Sequence, residues 1–153
     1  MIKNLFTIFF LSGFLSVDSQ PSPRNFINPT GTYILKGESH KGEIRGNFAE
    51  IRIKLLEDSL LAITLYCNNG YPAYKAGAFT DTLEYAANRS VHQAKSDPSC
   101  QIVFSFDTDG LHINQTYTDP LSTCGLEKGV LPLGFIEKHS AAVPVIQLLS
   151  RLQ

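Results

Sequence analysis

Apolar and polar residues alternate along most of this chain, which is the pattern of β-strands that bury one face. Between Glu50 and Leu55 every second residue is apolar, and the residues between them are charged. The segment from Cys100 to Tyr117 alternates on both sides of the turn residues Asp107–Gly110, so it predicts a β-hairpin. This alternation indicates a small all-β protein.

About eight short strands are predicted in this way, separated mostly by tight turns. They cover residues 31–37, 48–56, 60–67, 78–87, 90–94, 100–106, 111–117 and 131–138. Because such a series must bury one face, we expect an antiparallel up-and-down meander that closes into a small barrel. A two-sheet sandwich is the alternative, although closure of a barrel removes exposed strand edges. The β-barrel domain is predicted over residues 31–140.

The beginning of the chain departs from this pattern. Lys3 precedes the apolar run Leu5–Leu15, and small or tolerated residues lead up to Ser19, which together predict a cleaved signal peptide over residues 1–19. The apolar run is shorter than the ~20 residues that cross a bilayer. An anchor that stays attached is the alternative. Residues 20–30 are rich in Pro, Asn and Ser, and they predict a flexible lead-in.

The end of the chain, residues 141–153, has helical rather than strand-like spacing. Its apolar positions are Val145, Leu148, Leu149 and Leu152. A helix this short is marginal alone in water, so the pattern predicts either a short C-terminal helix packed on the barrel or a frayed tail.

The composition excludes some kinds of partner. The formal net charge is −1 and no basic patch occurs, so a nucleic-acid partner is not indicated. No long apolar stretch follows the leader, so no membrane contact is expected after its removal. We expect an exported monomer, periplasmic or secreted, without a cofactor.

Three cysteines make an odd count for an exported chain, which predicts one disulfide and one leftover thiol. Cys100 and Cys124 flank the predicted hairpin, so their positions favour this pair. Closing that loop would stabilise the fold by about 3.5 kcal/mol on the chain-entropy model. Cys67 lies on the apolar face of its strand and is interpreted as a buried free cysteine. A bond to Cys67 stays open, because connectivity cannot be deduced from sequence.

Side chains for catalysis or metal binding are scattered rather than clustered. The histidines have no metal-ligand spacing, which predicts exposed or rim positions without a metal site; they are His40, His92, His112 and His139. Asp81 and Glu84 would face opposite sides of a strand, so they are a poor general acid/base pair. The run Asp107–Gly110 is explained by turn chemistry rather than by calcium binding. No catalytic residues are predicted.

One loop has the composition of a recognition surface. Tyr66, Tyr71, Tyr74 and Phe79 bracket the sequence Asn68-Asn69-Gly70. Aromatic residues on an irregular loop are typical of binding sites, and at a barrel end they would rim a pocket. These four residues are therefore the candidate ligand-binding set. The alternative is that the loop folds back and plugs the barrel.

Several motifs spread over most of the mature chain carry a resemblance. They are Gly31-Thr-Tyr33, Gly77-x-Phe79-x-Asp-Thr-Leu-x-Tyr85, Asp97-Pro-Ser-Cys100-x-Ile-x-Phe-x-Phe106, Cys124-Gly125, Gly129-Val130 and Gly134-Phe-Ile-Glu-Lys138. The chain thereby resembles a group of small exported bacterial proteins, Bacteroidetes-type among others, whose function is unassigned. The resemblance implies a compact β-barrel or β-sandwich with a Cys100–Cys124 disulfide and no catalytic residues.

The chain departs from this group at Leu126-Glu127, where a small or aromatic pair is expected; this puts in doubt any binding feature of that loop. The chain is also faintly similar to lipocalins, although it has no Trp in the opening motif. Exported bacterial lysozyme inhibitors are similar in size and β-content, but no inhibitory motif can be carried over from them.

These observations predict an exported binding module rather than an enzyme. It would recognise a small amphipathic ligand or a protein partner at loops of a rigid β scaffold, with Tyr71, Tyr74 and Phe79 around a barrel mouth. The first alternative is a secreted or periplasmic inhibitor of a hydrolase such as lysozyme, and a small hydrolase is the second.

Overall fold

The computed structural model describes residues 25–57 and 59–146 of the chain, and this part is all-β with no helix. It contains nine strands. They are β1 (Gly31–Leu35), β2 (Glu38–His40), β3 (Glu43–Glu57), β4 (Leu60–Gly70), β5 (Ala76–Glu84), β6 (Arg89–His92), β7 (Cys100–Phe106), β8 (Gly110–Tyr117) and β9 (Gly134–Ser140).

The strands form one antiparallel sheet that curls into a nearly closed barrel. Its order is β5-β4-β3-β1-β9-β8-β7-β6, so the chain goes up and down around the barrel and β9 returns to β1. The short strand β2 lies off this path and pairs with β3 alone. The predicted all-β meander is therefore confirmed, and its strands form a barrel-shaped sheet rather than two separate sheets.

Two seams divide the barrel into halves. On one side β9 pairs with β1 only at Thr32 and Tyr33. On the other side β5 and β6 are the two ends of the strand order and do not pair with each other; the isolated Ala86–Arg89 bridge closes the turn that joins them. Backbone pairing is extensive within each half and sparse between the halves, so side-chain packing must hold the halves together.

The interior of the barrel is filled by inward-facing apolar side chains. Ile51 pairs with Leu65 and Ile53 with Ile63, and all four are fully buried. From the other half, Phe104 is fully buried among them. Each such side chain contributes about 1.5–3 kcal/mol through burial, so the packed interior is the main source of stability.

Residues 25–30, predicted to be part of a flexible lead-in, pack against one end of the barrel. The Tyr85 hydroxyl donates to the Ile27 carbonyl over 2.5 Å. The Asn88 side chain accepts a hydrogen bond from the Ile27 amide and donates one to the Asn25 carbonyl, at 3.0 and 2.8 Å. These contacts fix the segment in place. The predicted signal peptide and the rest of the lead-in lie outside the described residues.

The C-terminal segment beyond β9 is not helical over residues 141–146. Val143 and Val145 are exposed there, at 66% and 78% of their surface. Val145 is thus not a packing position of a helix. The other predicted helical positions, Leu148, Leu149 and Leu152, lie outside the described residues.

The long connection between β8 and β9, residues 118–133, covers the opposite end of the barrel; we call it the cap loop. Cys124 within it forms a disulfide with Cys100 of β7, which confirms the predicted pairing. Val130 is fully buried, and Leu126 packs so closely on Gly77 that a Cβ there would lie 3.0 Å from it. The cap loop therefore closes this end with apolar side chains.

The carboxylate of Asp97 holds the cap loop at the disulfide. One of its oxygens accepts a hydrogen bond from the Ser99 hydroxyl at 2.8 Å and from the Ser122 hydroxyl at 3.1 Å. The other accepts the backbone amides of Thr123 and Cys124 at 2.8 and 2.9 Å. These bonds, the one from Ser99 most of all, lower the pKa of Asp97.

Replacing both Cys100 and Cys124 by Ala should lower the free energy of unfolding by about 3.5 kcal/mol, because the 24-residue separation of the pair constrains the unfolded chain. Urea denaturation followed by circular dichroism measures this change. A Cys67→Ala variant is the matched control for the disulfide, since that thiol is free and its loss leaves the bond intact. Equal stability of the double variant and the wild type would contradict the role of the bond.

Stability in acid should depend on Asp97. Its pKa in the folded protein is below the ordinary value of 3.8, so its contribution is complete above that value and is lost as pH falls through the folded pKa. An Asp97→Asn variant would direct an amide N–H at donors of the cap loop. We expect its stability deficit, measured by urea denaturation, to be constant between pH 5 and 7 and to shrink below about pH 4. Asp109→Asn, at an exposed turn position, is the control. A deficit that does not change with pH would refute this assignment.

Candidate binding surface

Three of the four predicted site residues come together on the outside of the barrel, and the fourth does not. Tyr66 lies on the outer face of β4, and Tyr71 and Tyr74 lie in the loop that follows; all three are exposed. Phe79 faces inward on β5, as its cross-strand partner Leu65 does. It stacks on the His92 ring with centroids 3.8 Å apart. Phe79 thus belongs to the inner side of the barrel rather than to a recognition surface.

Ile44 and Phe48, which were not predicted from the sequence, also belong to this surface. Ile44 and Phe48 of β3 join the tyrosines; we call the five residues Ile44, Phe48, Tyr66, Tyr71 and Tyr74 the aromatic patch. The rings of Phe48 and Tyr66 are 6.1 Å apart, and those of Tyr71 and Tyr74 are 6.2 Å apart. Most of the patch and Asn68 line a shallow groove of about 230 Å³. The patch is a continuous apolar area at the protein surface.

The local fold of the loop brings Tyr71 to Ile44. The Tyr71 amide donates to the Ile44 carbonyl over 2.8 Å, and the Tyr74 amide donates to the Gly70 carbonyl over 2.7 Å. Gly70 has a φ of +66°, and a Cβ at this position would lie 2.6 Å from the Ile44 carbonyl oxygen. Glycine is required here by both its backbone angle and the close approach of β3. The Asn69-Gly70 pair, which predicts a turn in the sequence, therefore also positions Tyr71 within the patch.

A β-hairpin extends beyond the barrel next to the patch. It consists of β2 and the first residues of β3, residues 38–45, and we call it the projecting ribbon. Its turn residues Lys41 and Gly42 have φ of +50° and +80°, as two-residue hairpin turns require. Every ribbon residue except Glu43 is exposed. The Arg45 guanidinium lies 5.2 Å from the centre of the Tyr71 ring, and this cation–π contact joins ribbon and patch.

The predicted barrel mouth is filled. Leu126 and Val130 of the cap loop lie over Gly77, at the end of the barrel where Tyr71, Tyr74 and Phe79 were expected to rim a pocket. The loop that plugs the barrel is therefore the cap loop and not the aromatic loop. Clefts of about 540 and 450 Å³ lie along the two seams, where strand pairing is sparse.

The prediction that all four histidines are exposed or at a rim is wrong for His92. This residue is 7% exposed, and its Nδ1 lies 2.8 Å from a carboxylate oxygen of Asp81 on β5. Its neighbour Val91 is 42% exposed. In the sequence, the apolar residue Val91 suggests that its own face of β6 is buried and that His92 faces the solvent. The structure has the reverse orientation, so the alternation gave the wrong face. The His92–Asp81 contact bridges the seam between β5 and β6.

Among the described residues, no nucleophilic side chain forms a hydrogen bond with the His92–Asp81 pair. Ser90, two residues before His92 on the same face, is buried, and its hydroxyl has no hydrogen-bond partner. Phe79 covers one face of the imidazole. The geometry is that of an oriented imidazole within a packing contact, and it does not assemble a Ser-His-Asp arrangement.

The remaining reactive or ligating groups are also apart from the patch. Cys67 is free and buried, and burial raises the pKa of its thiol to about 11, which keeps it protonated and unreactive. The described part of the chain holds no group of three or more His, Cys, Asp or Glu side chains suited to a metal ion. Nor do these residues include a helix long and apolar enough to cross a membrane.

Comparison with family models, with curated proteins and with solved structures finds no match to this chain.

The aromatic patch should contribute little to the stability of the fold. A Tyr66→Ser/Tyr74→Ser double variant is expected to change the free energy of unfolding by less than about 1 kcal/mol, since both side chains are substantially exposed. Phe104→Ala, in the core, should cost about 3–5 kcal/mol. Urea denaturation measures both. A loss of several kcal/mol in the tyrosine variant would mean that the patch is part of the scaffold.

Proposed function

We propose that this protein is an exported binding module, not an enzyme, and that it recognises a protein partner with the aromatic patch and the projecting ribbon. The observation that carries the proposal is the continuous exposure of apolar side chains: Ile44, Tyr66, Tyr71 and Tyr74 are each 41–51% exposed. Single exposed apolar residues are ordinary, but a contiguous patch beside charged residues marks an interaction site.

The size of the groove favours a protein over a small amphipathic ligand. Pockets for small molecules usually enclose about 300–1,000 Å³. The groove in the patch has about 230 Å³, is open to solvent, and is lined by one aliphatic, three aromatic and one amide side chain. It fits one apolar side chain presented by a partner. Tyrosines at an interface supply large contact areas at a low cost in side-chain entropy.

The scaffold beneath the patch is suited to holding it in one arrangement. Tyr66 stands on β4, which pairs with β3 on one side and β5 on the other. Pre-organisation of this kind favours affinity, because less conformational entropy is lost on binding. The Cys100–Cys124 disulfide is compatible with an oxidising, exported location, which supports a periplasmic or secreted site of action.

Inhibition of a hydrolase such as lysozyme is the second candidate function, and the projecting ribbon favours it. Inhibitors commonly present an ordered segment that extends from a rigid scaffold into the cleft of an enzyme. The ribbon, with its tip at Lys41 and Gly42, has this form and is exposed on both strands. In this version the patch would contact the rim of the cleft.

The test is affinity capture from the exported proteins of the source organism with three immobilised forms of the protein. They are the wild type, the Tyr66→Ser/Tyr74→Ser variant, and Tyr117→Ser as a matched control, because Tyr117 is 54% exposed outside the patch. We expect a partner retained by the wild type and the control and reduced at least tenfold with the patch variant. Mass spectrometry identifies and quantifies it.

Two other outcomes distinguish the alternatives. If the partner is a hydrolase and its activity falls when the wild-type protein is added, the inhibitor function is supported. If all three forms retain the same proteins in equal amounts, the aromatic patch is not the binding surface and the proposal fails.

A further inference from the structure

The aromatic patch offers hydrogen-bond donors, and several acceptors around it are already in use. The hydroxyl groups of Tyr66, Tyr71 and Tyr74 take part in none of the hydrogen bonds among the described residues, and all three side chains are exposed. The backbone carbonyls of Gly70 and Tyr74, by contrast, accept hydrogen bonds within the loop. The side-chain oxygen of Asn68 accepts the Gly70 amide at 2.6 Å. A segment that is buried on this surface therefore has to bring acceptors and few N–H groups.

Proline is the amino acid that best meets this requirement. It has no backbone N–H, so its burial against tyrosine rings leaves no backbone donor without a partner. In a polyproline II segment the carbonyl groups make no internal hydrogen bonds, so they are free to accept from tyrosine hydroxyls. Grooves lined by aromatic side chains are the places where such segments dock, because this conformation is already formed before binding and little entropy is lost.

The groove in the patch is suited to an extended segment rather than to a helix. It holds about 230 Å³ and is lined by Ile44, Phe48, Tyr66, Asn68 and Tyr74. An amphipathic helix docks through apolar residues at positions i, i+3, i+4 and i+7, which need a long hydrophobic groove. Three of the five lining side chains are aromatic, one is an amide, and only one is aliphatic. The groove is therefore short and ring-lined, as recognition of a proline requires.

Basic side chains are in excess around the patch. In residues 36–45 and 66–76 they outnumber the acidic ones by two, whereas the whole chain has a net charge of −1. They are Lys36, Lys41, Arg45 and Lys75, against Glu38 and Glu43. Glu127 of the cap loop lies 3.9 Å from Lys75, and the bases remain in excess when it is counted. Acidic residues next to the prolines of a segment would therefore be attracted to this surface.

We propose that the aromatic patch binds an extended, proline-containing segment of its protein partner, with acidic residues next to the prolines. In this arrangement the proline rings contact Phe48, Tyr66 and Tyr74, and tyrosine hydroxyls donate to carbonyl groups of the segment. An acidic side chain of the segment lies near Arg45, whose guanidinium is over the Tyr71 ring. The inference rests on the proposed function, because it specifies which part of a partner the patch recognises.

The probe is a displayed library of random twelve-residue peptides, selected on the disulfide-bonded wild-type protein. We expect the selected sequences to be enriched in Pro and in Asp or Glu. One selected peptide is then synthesised with its essential proline replaced by Ala or by N-methylalanine. Ala should lower the affinity at least tenfold because it introduces an N–H donor, whereas N-methylalanine, which has none, should lower it less than threefold. Failure to select any peptide, no enrichment in proline, or equal losses for the two replacements would overturn the proposal.

Variants of the protein locate the site on its surface. The Tyr66→Ser/Tyr74→Ser variant should weaken peptide binding at least tenfold. Arg45→Gln should weaken it at least threefold and make it less sensitive to salt, because one attraction between charges is lost. Arg89→Gln is the matched control, since Arg89 is an exposed residue of β6 outside the patch, and it should leave the affinity unchanged. A peptide that binds the tyrosine variant as tightly as the wild type would show that the location is wrong.

Two results separate the failure of this inference from the failure of the proposed function. If the tyrosine variant loses the captured partner but no proline peptide binds the wild type, the class of segment is wrong while the binding role of the patch stands. If the free protein is a dimer in ultracentrifugation and the tyrosine variant is a monomer, a second copy of the chain occupies the patch, and the inference is overturned.

Discussion

The structure depends on the burial of inward-facing side chains between the two halves of the barrel. Backbone pairing joins the halves only at Thr32 and Tyr33, between β1 and β9, so hydrogen bonds across the seams are too few to hold the halves together alone. Ile51, Ile63 and Phe104 are instead packed against one another at zero exposure. Burial is non-directional, but close packing selects one arrangement of the halves. The strands that carry the aromatic patch are held in place by this core.

The same filling of the interior decides where function can lie. One end of the barrel is covered by residues 25–30, and the cap loop covers the other through Leu126 and Val130. The bonds to Asp97 and the disulfide anchor the cap loop near its middle. Apolar side chains fill most of the interior, and the polar groups on its inner side lie mainly at the seam between β5 and β6, where His92 contacts Asp81. The filled interior leaves the outer surface as the place where the proposed recognition would occur.

The sequence predicts the parts of this fold that follow from local alternation. The charged and apolar positions of β3 and the Asp-Gly turn follow from this pattern. The Cys100–Cys124 pair is favoured by the positions of both residues beside the hairpin, while a bond to Cys67 stays open until the structure resolves it. His92 could not be placed, since the neighbouring Val91 gives the apolar signal to the wrong face. Ile44 and Phe48 could not be added to the site, because their contact with the tyrosines depends on how far β3 runs past the barrel and on the return of the chain at Gly70.

The projecting ribbon and the aromatic patch are parts of one surface. Arg45 of the ribbon packs on the Tyr71 ring of the patch, and the Tyr71 amide donates to the carbonyl of Ile44, which belongs to both. Gly70 allows this close approach, because a Cβ at this position would lie 2.6 Å from that carbonyl oxygen. The turn that follows β4 therefore sets the distance between ribbon and patch, and a partner that contacts the ribbon is within reach of the tyrosines.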